Sequence, residues 1–131
     1  MTDFSAITVF AGLPVRDLAR AGAWYREVFG REPDARPTPG IADYYLAADH
    51  DPEHGTLQLR EDAQRAGGGL VTINVEDISL IARTLQELNV AFQPQKFPIE
   101  AVTVSAVTVG TFEDPDGNAV TIVQPHRRTI S

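Results

Sequence analysis

The sequence predicts an α+β protein built from two tandem βαβββ modules, and two observations predict it. The first is an internal repeat: Val15-Arg16-Asp17-Leu18 matches Val75-Glu76-Asp77-Ile78, 60 residues further on. The second is that each copy follows an alternating strand, opens a helix on its Asp, and leads into further strands. The two halves also end alike, Asp51-Pro52 through Gly55 into Leu57-Gln58-Leu59 paralleling Asp114-Pro115-Asp116-Gly117 into Val120-Thr121-Ile122. Units this short bury their apolar faces against each other or against a partner. The expectation is a single domain over residues 1–131, with module 1 at about 5–62 and module 2 at about 68–125.

In the first module, Ile7, Val9, Leu13 and Val15 share one face of a half-buried strand. Asp17 is a natural helix N-cap, because its carboxylate accepts backbone N–H groups that have no partner within the helix. Leu18, Ala21, Tyr25, Val28 and Phe29 recur at helical spacing, and Gly30 suits the C-cap. Pro33, Pro37 and Pro39 make the next stretch an irregular edge strand or loop. Strands near Ala42–Ala48 and Thr56–Arg60 follow, separated by a polar turn from Asp49 to Gly55.

The pattern restarts after Gly67-Gly68-Gly69. Leu70–Val75 alternates as a strand, Asp77 caps a second helix, and Ile78, Ile81, Leu85 and Leu88 form its apolar stripe. A strand is expected around Ala91–Phe97. The apolar alternation Val102, Val104, then Val107, Val109 changes phase between Ser105 and Ala106, which predicts a bulge, bend or turn there. Glu113–Asn118 reads as a hairpin leading into a last strand, Ala119–Val123.

Composition narrows the function. With 131 residues and 43% apolar content, the chain suits one soluble domain with a real core. It contains no cysteine, which excludes disulfides, thiolate nucleophiles and cysteine-held metal. Eleven basic and eighteen acidic residues give a net charge of −7, against a phosphate-tracking nucleic-acid binder. No apolar run approaches the ~20 residues of a membrane span, and no signal-peptide pattern is visible, so a cytoplasmic protein is expected. No nucleophile elbow, phosphate loop or dinucleotide fingerprint occurs.

A strand ending in Val-x-Asp-Leu, a helix carrying Trp24-Tyr25 with Phe29-Gly30 behind, and Asp114-Pro115-Asp116-Gly117-Asn118 before a final strand form an ordered set. This set resembles the vicinal oxygen chelate superfamily of glyoxalases, extradiol dioxygenases, fosfomycin-resistance enzymes and bleomycin-binding proteins, from about Ile7 to Gln124. The resemblance implies two sheets curling around a cup-shaped cleft, and homodimers in which both chains contribute to each cup. It also implies where the enzymes' metal ligands stand. The first-strand position falls on Phe10 and Leu70, and the last-strand position on Gln58 and Thr121. None of these is His, Asp or Glu, the donors a divalent metal wants. No metal and no cofactor are expected.

Strand parity describes the same face independently. If Val9, Leu57, Leu59, Val71, Ile73, Val120 and Ile122 pack under the helices, the opposite face carries Phe10, Gln58 and Arg60, then Leu70, Thr72 and Thr121. That mixture of apolar and neutral hydrogen-bonding groups with one cation suits a small-molecule pocket; a dimer partner or a loop could also fill it. Tyr44 and Tyr45 point to opposite sides and their register is open. Tyr44 and Phe112 complete the candidate ligand-binding residues.

His50 and His54, among Asp49, Asp51 and Glu53, read as a solvated turn rather than a metal site, and His126 as part of a terminal tail. Tyr25 reads as core. No catalytic residue is assigned. The function these residues suggest is metal-independent binding of a small molecule, resembling the drug-sequestering branch of the superfamily. Alternatives are a metal-dependent lyase, isomerase or dioxygenase with unusual ligands, a metal-free catalyst using Arg60 and a Tyr, and a scaffold whose cup is packed shut.

Overall fold

The computed structural model describes residues 4–128. Its contacts divide the chain into two compact units at the Gly69–Leu70 boundary.

The first unit contains β1 (Phe10–Val15), α1 (Leu18–Phe29), β2 (Ala35–Thr38), β3 (Ile41–Tyr45), a 3₁₀ turn at Pro52–His54, and β4 (Thr56–Glu61). The second contains β5 (Leu70–Asn74), α2 (Ile78–Glu87), β6 (Gln95–Pro98), β7 (Val104–Glu113) and β8 (Ala119–Arg127). Each forms an open four-stranded sheet of the same topology, β1-β4-β3-β2 and β5-β8-β7-β6. In each, the first strand runs parallel to the last, and the other pairs are antiparallel. The two βαβββ modules expected from the repeat are present.

Both helices start as the sequence expects. The Asp17 carboxylate accepts the Arg20 N–H, and Asp77 accepts the Ser79 N–H. A second side chain from the last strand of each module completes the cap: Glu61 accepts the Leu18 N–H and Gln124 the Ile78 N–H. At the end of α1, Gly30 takes the left-handed conformation (φ 74°) and donates its N–H to Arg26 O. At the end of α2 the left-handed position belongs to Asn89.

The helices cover one face of each sheet. In the first unit Leu18, Ala21, Tyr25 and Val28 of α1 are buried with Leu13, Val15, Tyr44, Leu57 and Leu59. Phe29 links helix to sheet, its ring 4.9 Å from that of Tyr44 and 5.5 Å from that of Tyr25. In the second, Ile78 and Leu85 are buried with Ala106, Phe112, Val120 and Ile122. Each fully buried aliphatic or aromatic side chain of this kind contributes about 1.5–3 kcal/mol.

The expected phase change in β7 is a register shift between Val104 and Ala106. The Asp114–Asn118 hairpin is held by Asp114, whose carboxylate accepts from the Asp116 and Asn118 N–H groups and from the Asn118 amide.

One strand is shorter than its alternation suggests. Ile7 and Val9 are 84% and 80% exposed and precede β1, so Val9 does not pack under the helix. The reason lies in the partner: β4 begins at Thr56, which pairs with Phe10, and upstream of it the chain turns through Pro52–His54. Alternation cannot make a strand where no backbone is available to bond. Thr8 instead donates its hydroxyl to Glu53 O in that turn.

Among the described residues no helix is long and apolar enough to cross a membrane.

Candidate ligand-binding faces

Register places the residues on each sheet's face away from its helix. In the first unit, three rows run across β1, β4 and β3: Phe10–Thr56–Tyr45, Gly12–Gln58–Asp43, and Pro14–Arg60–Ile41. Gln58 stands at the centre. The rows differ in chemistry: the first is aromatic at both ends, the second pairs an amide with a carboxylate beside a bare glycine, and the third carries a cation.

Arg60 is exposed and leans toward β1, its Cδ 3.9 Å from where a Cβ on Gly12 would stand. It borders a depression of about 350 Å³ shared with Gly12, Pro14, Glu61, Asp62 and Arg65. Asp62 and Arg65 pair with each other at 2.9 Å, and that hydrogen bond from Arg65 is the leading reason the Asp62 carboxyl sits below its usual range.

In the second unit the corresponding rows are Leu70–Ala119–Glu113, Thr72–Thr121–Thr111 and Asn74–Val123–Val109. The Thr111 and Thr121 hydroxyls are 2.8 Å apart. Leu70 is 83% exposed at the sheet edge.

Phe10, Gln58, Arg60, Leu70, Thr72 and Thr121 therefore stand on the faces that sequence parity assigned to them. Tyr44 and Phe112, the other two candidate ligand-binding residues, lie on the opposite, helix-covered faces. Tyr44 pairs with Leu57 on the helix side, is fully buried, and donates its hydroxyl to Arg31 O. Burial, the leading cause, raises its phenol above the ordinary value. Tyr45 takes the position on the open face. Phe112 pairs with Val120 on the core side, where its ring meets that of Phe92 at 6.1 Å. Both corrections come from register, which alternation alone leaves free by one residue. The same parity would have found Asp43 once Tyr44 was placed in the core.

Phe10, Gln58, Leu70 and Thr121, where the resemblance expects the superfamily's metal ligands, do not form a donor set that fits a divalent metal. Phe10 and Leu70 have no lone pair to offer, Gln58 offers one amide oxygen, and Thr121 holds its hydroxyl against Thr111. The histidines singled out earlier lie elsewhere. His54 and Asp49 meet at 2.6 Å on an exposed turn, with ligand atoms of Asp49, Asp51 and His54 within 4.8 Å of one another. Two of these carboxylates also brace the turn, Asp49 accepting from the Asp51 N–H and Asp51 from the Glu53 N–H. His126 lies on β8, its Nε2 2.7 Å from the Thr108 hydroxyl.

A family model described as the Glyoxalase/Bleomycin resistance protein/Dioxygenase superfamily matches residues 7–122. Among solved structures, a glyoxalase/bleomycin resistance protein from Catenulispora acidiphila is 28% identical, with a TM-score of 0.71 over 91% of this chain and 98% of that one. TnmS3, an antibiotic-binding protein from a Streptomyces species, is 22% identical, with a TM-score of 0.64 over 95% and 99%. A bleomycin resistance determinant encoded on the transposon Tn5 is 17% identical, with a TM-score of 0.65 over 89% and 96%. The last two likenesses concern the fold alone. No curated protein matches the chain.

Proposed function

Because the chain belongs to the glyoxalase/bleomycin resistance protein/dioxygenase superfamily, we propose that it is a small-molecule binding protein. In this reading it holds its ligand without a metal on the open faces of its sheets, and protects by sequestering a drug or metabolite. The observation that carries the reading is that Phe10, Gln58, Leu70 and Thr121 stand where the resemblance expects metal ligands, and none of them is His, Asp or Glu. The faces around them offer rings, hydroxyls, an amide and two opposite charges, the mixture that small-molecule sites use for fit and orientation. An antibiotic-binding protein and a bleomycin resistance determinant share this fold, which makes an antibiotic-like small molecule the ligand class to test first.

The test is elemental analysis of the purified protein with calorimetric titration of bleomycin and other antibiotics, before and after chelation. Zinc, manganese, iron and nickel are expected well below one equivalent, with at least one antibiotic binding equally in EDTA. Stoichiometric metal, with binding abolished by the chelator, would overturn the reading.

A homodimer in the cytoplasm belongs to the same proposal. The exposed apolar residues Ile7 and Val9 of the first unit support an association surface. Light scattering behind size exclusion should return twice the chain mass.

A metal-dependent lyase, isomerase or dioxygenase is the second reading, and the Asp49, Asp51 and His54 cluster is the observation in its favour. Full metal occupancy lost on His54→Ala would promote it.

A further inference from the structure

Among the described residues, the Oδ1 atom of Asp43 is the one buried side-chain oxygen or nitrogen without a hydrogen-bond partner. The residue keeps 4% of its surface exposed. Taking a carboxylate out of water without giving it a donor is strongly unfavourable, so buried carboxylates are normally paired. The other buried polar groups among the described residues follow that rule. Asp114, also buried, accepts from two backbone N–H groups and the Asn118 amide, and Thr56 donates to Pro52 O.

Two cations of the first unit are engaged or turned elsewhere. Arg31 is committed to Asp34 and to Tyr45 O. Arg60, the cation on the same face, leans over Gly12 on the far side of β4 from Asp43. Gln58 faces Asp43 across the β3–β4 pair, yet its amide makes no hydrogen bond among the described residues. Asp43 thus stands in the middle row of the open face, between Gln58 and Ala35, with Tyr45 and Ile41 on either side along β3.

We propose that Asp43 is the anchor for a cationic nitrogen of the ligand, an ammonium or amidinium whose N–H is donated to Oδ1. The inference rests on the small-molecule binding proposed for this face and names the chemistry it selects. A charged N–H donor matches an unpartnered carboxylate oxygen better than a neutral donor does, because charge-assisted bonds are about twice as strong. The neighbouring Phe10–Thr56–Tyr45 row supplies aromatic rings, which attract the same kind of group. Gln58 is the side chain that gives way: it is half-buried and gives up no hydrogen bond among the described residues when it turns aside.

The probes that test this are 2-phenylethylammonium and its neutral counterpart 2-phenylethanol, titrated into the ¹⁵N-labelled full chain and followed by amide shifts. The amine is expected to move amides of β1, β3 and β4 and to bind at least tenfold more tightly than the alcohol. Asp43→Asn should abolish that preference, lowering the affinity for the amine to about that for the alcohol. The ligand-free Asp43→Asn protein should also melt higher than the wild type, because the wild type buries the Oδ1 of an acidic side chain without a donor. Equal binding of amine and alcohol, or a preference that survives Asp43→Asn, overturns the anchor while leaving ligand binding on this face intact. If neither probe moves any amide there, the anchor and the ligand-binding reading fail together. An Asp43→Asn protein that melts lower or does not fold shows that the carboxylate has a partner within the fold, and this too overturns the inference.

Discussion

Glu61, at the end of β4, accepts the backbone N–H of Leu18, the first residue of α1, at 3.0 Å. Gln124 on β8 does the same for Ile78 of α2 at 2.9 Å. In each module the last strand therefore caps the helix that follows the first, tying together the elements that the repeat places farthest apart in sequence. A cap lost by truncation to Ala costs about 0.5–2 kcal/mol. Glu61→Ala and Gln124→Ala are each expected to lower stability by about 1 kcal/mol on this scale. Glu61→Gln, which keeps the acceptor, should lose much less. Urea denaturation of the three variants checks both statements.

Gly110 is required for a different reason. A Cβ there would stand 2.6 Å from the Phe92 ring, which itself packs edge-on against Phe112. Gly110→Ala is expected to cost about 1–3 kcal/mol, the range for overpacking a filled core. The penalty should shrink in a Phe92→Leu background, because the two positions share one space. A double-mutant cycle in urea measures that coupling, and an unchanged penalty would show that the clash is relieved elsewhere.

The helices were legible in the sequence because their signals are local. Asp17 and Gly30 bracket one helix within the span of a few turns, and Asp77 opens the other. The β7 irregularity was legible for the same reason, since a phase change needs no knowledge of the partner strand. Register was not local. Ile7 and Val9 alternate well but have no strand to pair with, and Tyr44 and Tyr45 exchange roles with a one-residue slip. Phe112 looks like a site aromatic until its pairing with Val120 turns it to the core. Asp43 was missed because a lone acidic residue in a predicted strand gives no hint of its burial.

Asp34 makes stability depend on acid. Burial pushes its carboxyl up, but the Tyr45 N–H and the Arg31 guanidinium outweigh this and leave it below the ordinary value of 3.8. A carboxyl with a depressed folded pKa contributes stability above its unfolded value and loses it as pH falls through the folded one. Asp34→Asn should therefore be clearly less stable than wild type at pH 7, with the gap closing well below pH ~3.8. Chemical denaturation at both pH values reads the difference, and a gap independent of pH would remove the ion pair from the explanation.

His54 should titrate in the opposite sense. The hydrogen bond with Asp49 is the leading cause that raises its pKa above the ordinary histidine value of 6.5, with the charges of Asp49, Asp51 and Glu53 adding to it. Its contribution is present below the unfolded value and lost as pH rises through the folded one. The His54 ring resonances should show a midpoint above 6.5 by NMR that moves back down in Asp49→Asn. An unchanged midpoint in that variant would mean that the turn does not hold the pair together.

Tyr44 and Tyr45 should separate stability from binding. Tyr44 is fully buried against Phe29, with its hydroxyl satisfied by Arg31 O, so truncation leaves a cavity and an unmet carbonyl. Tyr44→Ala is expected to cost about 3–5 kcal/mol, as for other large buried aromatics. Tyr45 is joined to Asp34 and Arg31 through its backbone, which an alanine keeps, and its ring lies on the open face beside Thr56. Tyr45→Ala should cost less than about 1 kcal/mol, within the range of partly exposed substitutions. The same variant should weaken 2-phenylethylammonium binding severalfold, since it removes a ring from the row next to Asp43. Urea denaturation and amide-shift titration on the two variants decide the point. A Tyr45→Ala protein that is badly destabilised, or that binds the amine as tightly as wild type, would mean that this ring belongs to the fold and not to the ligand.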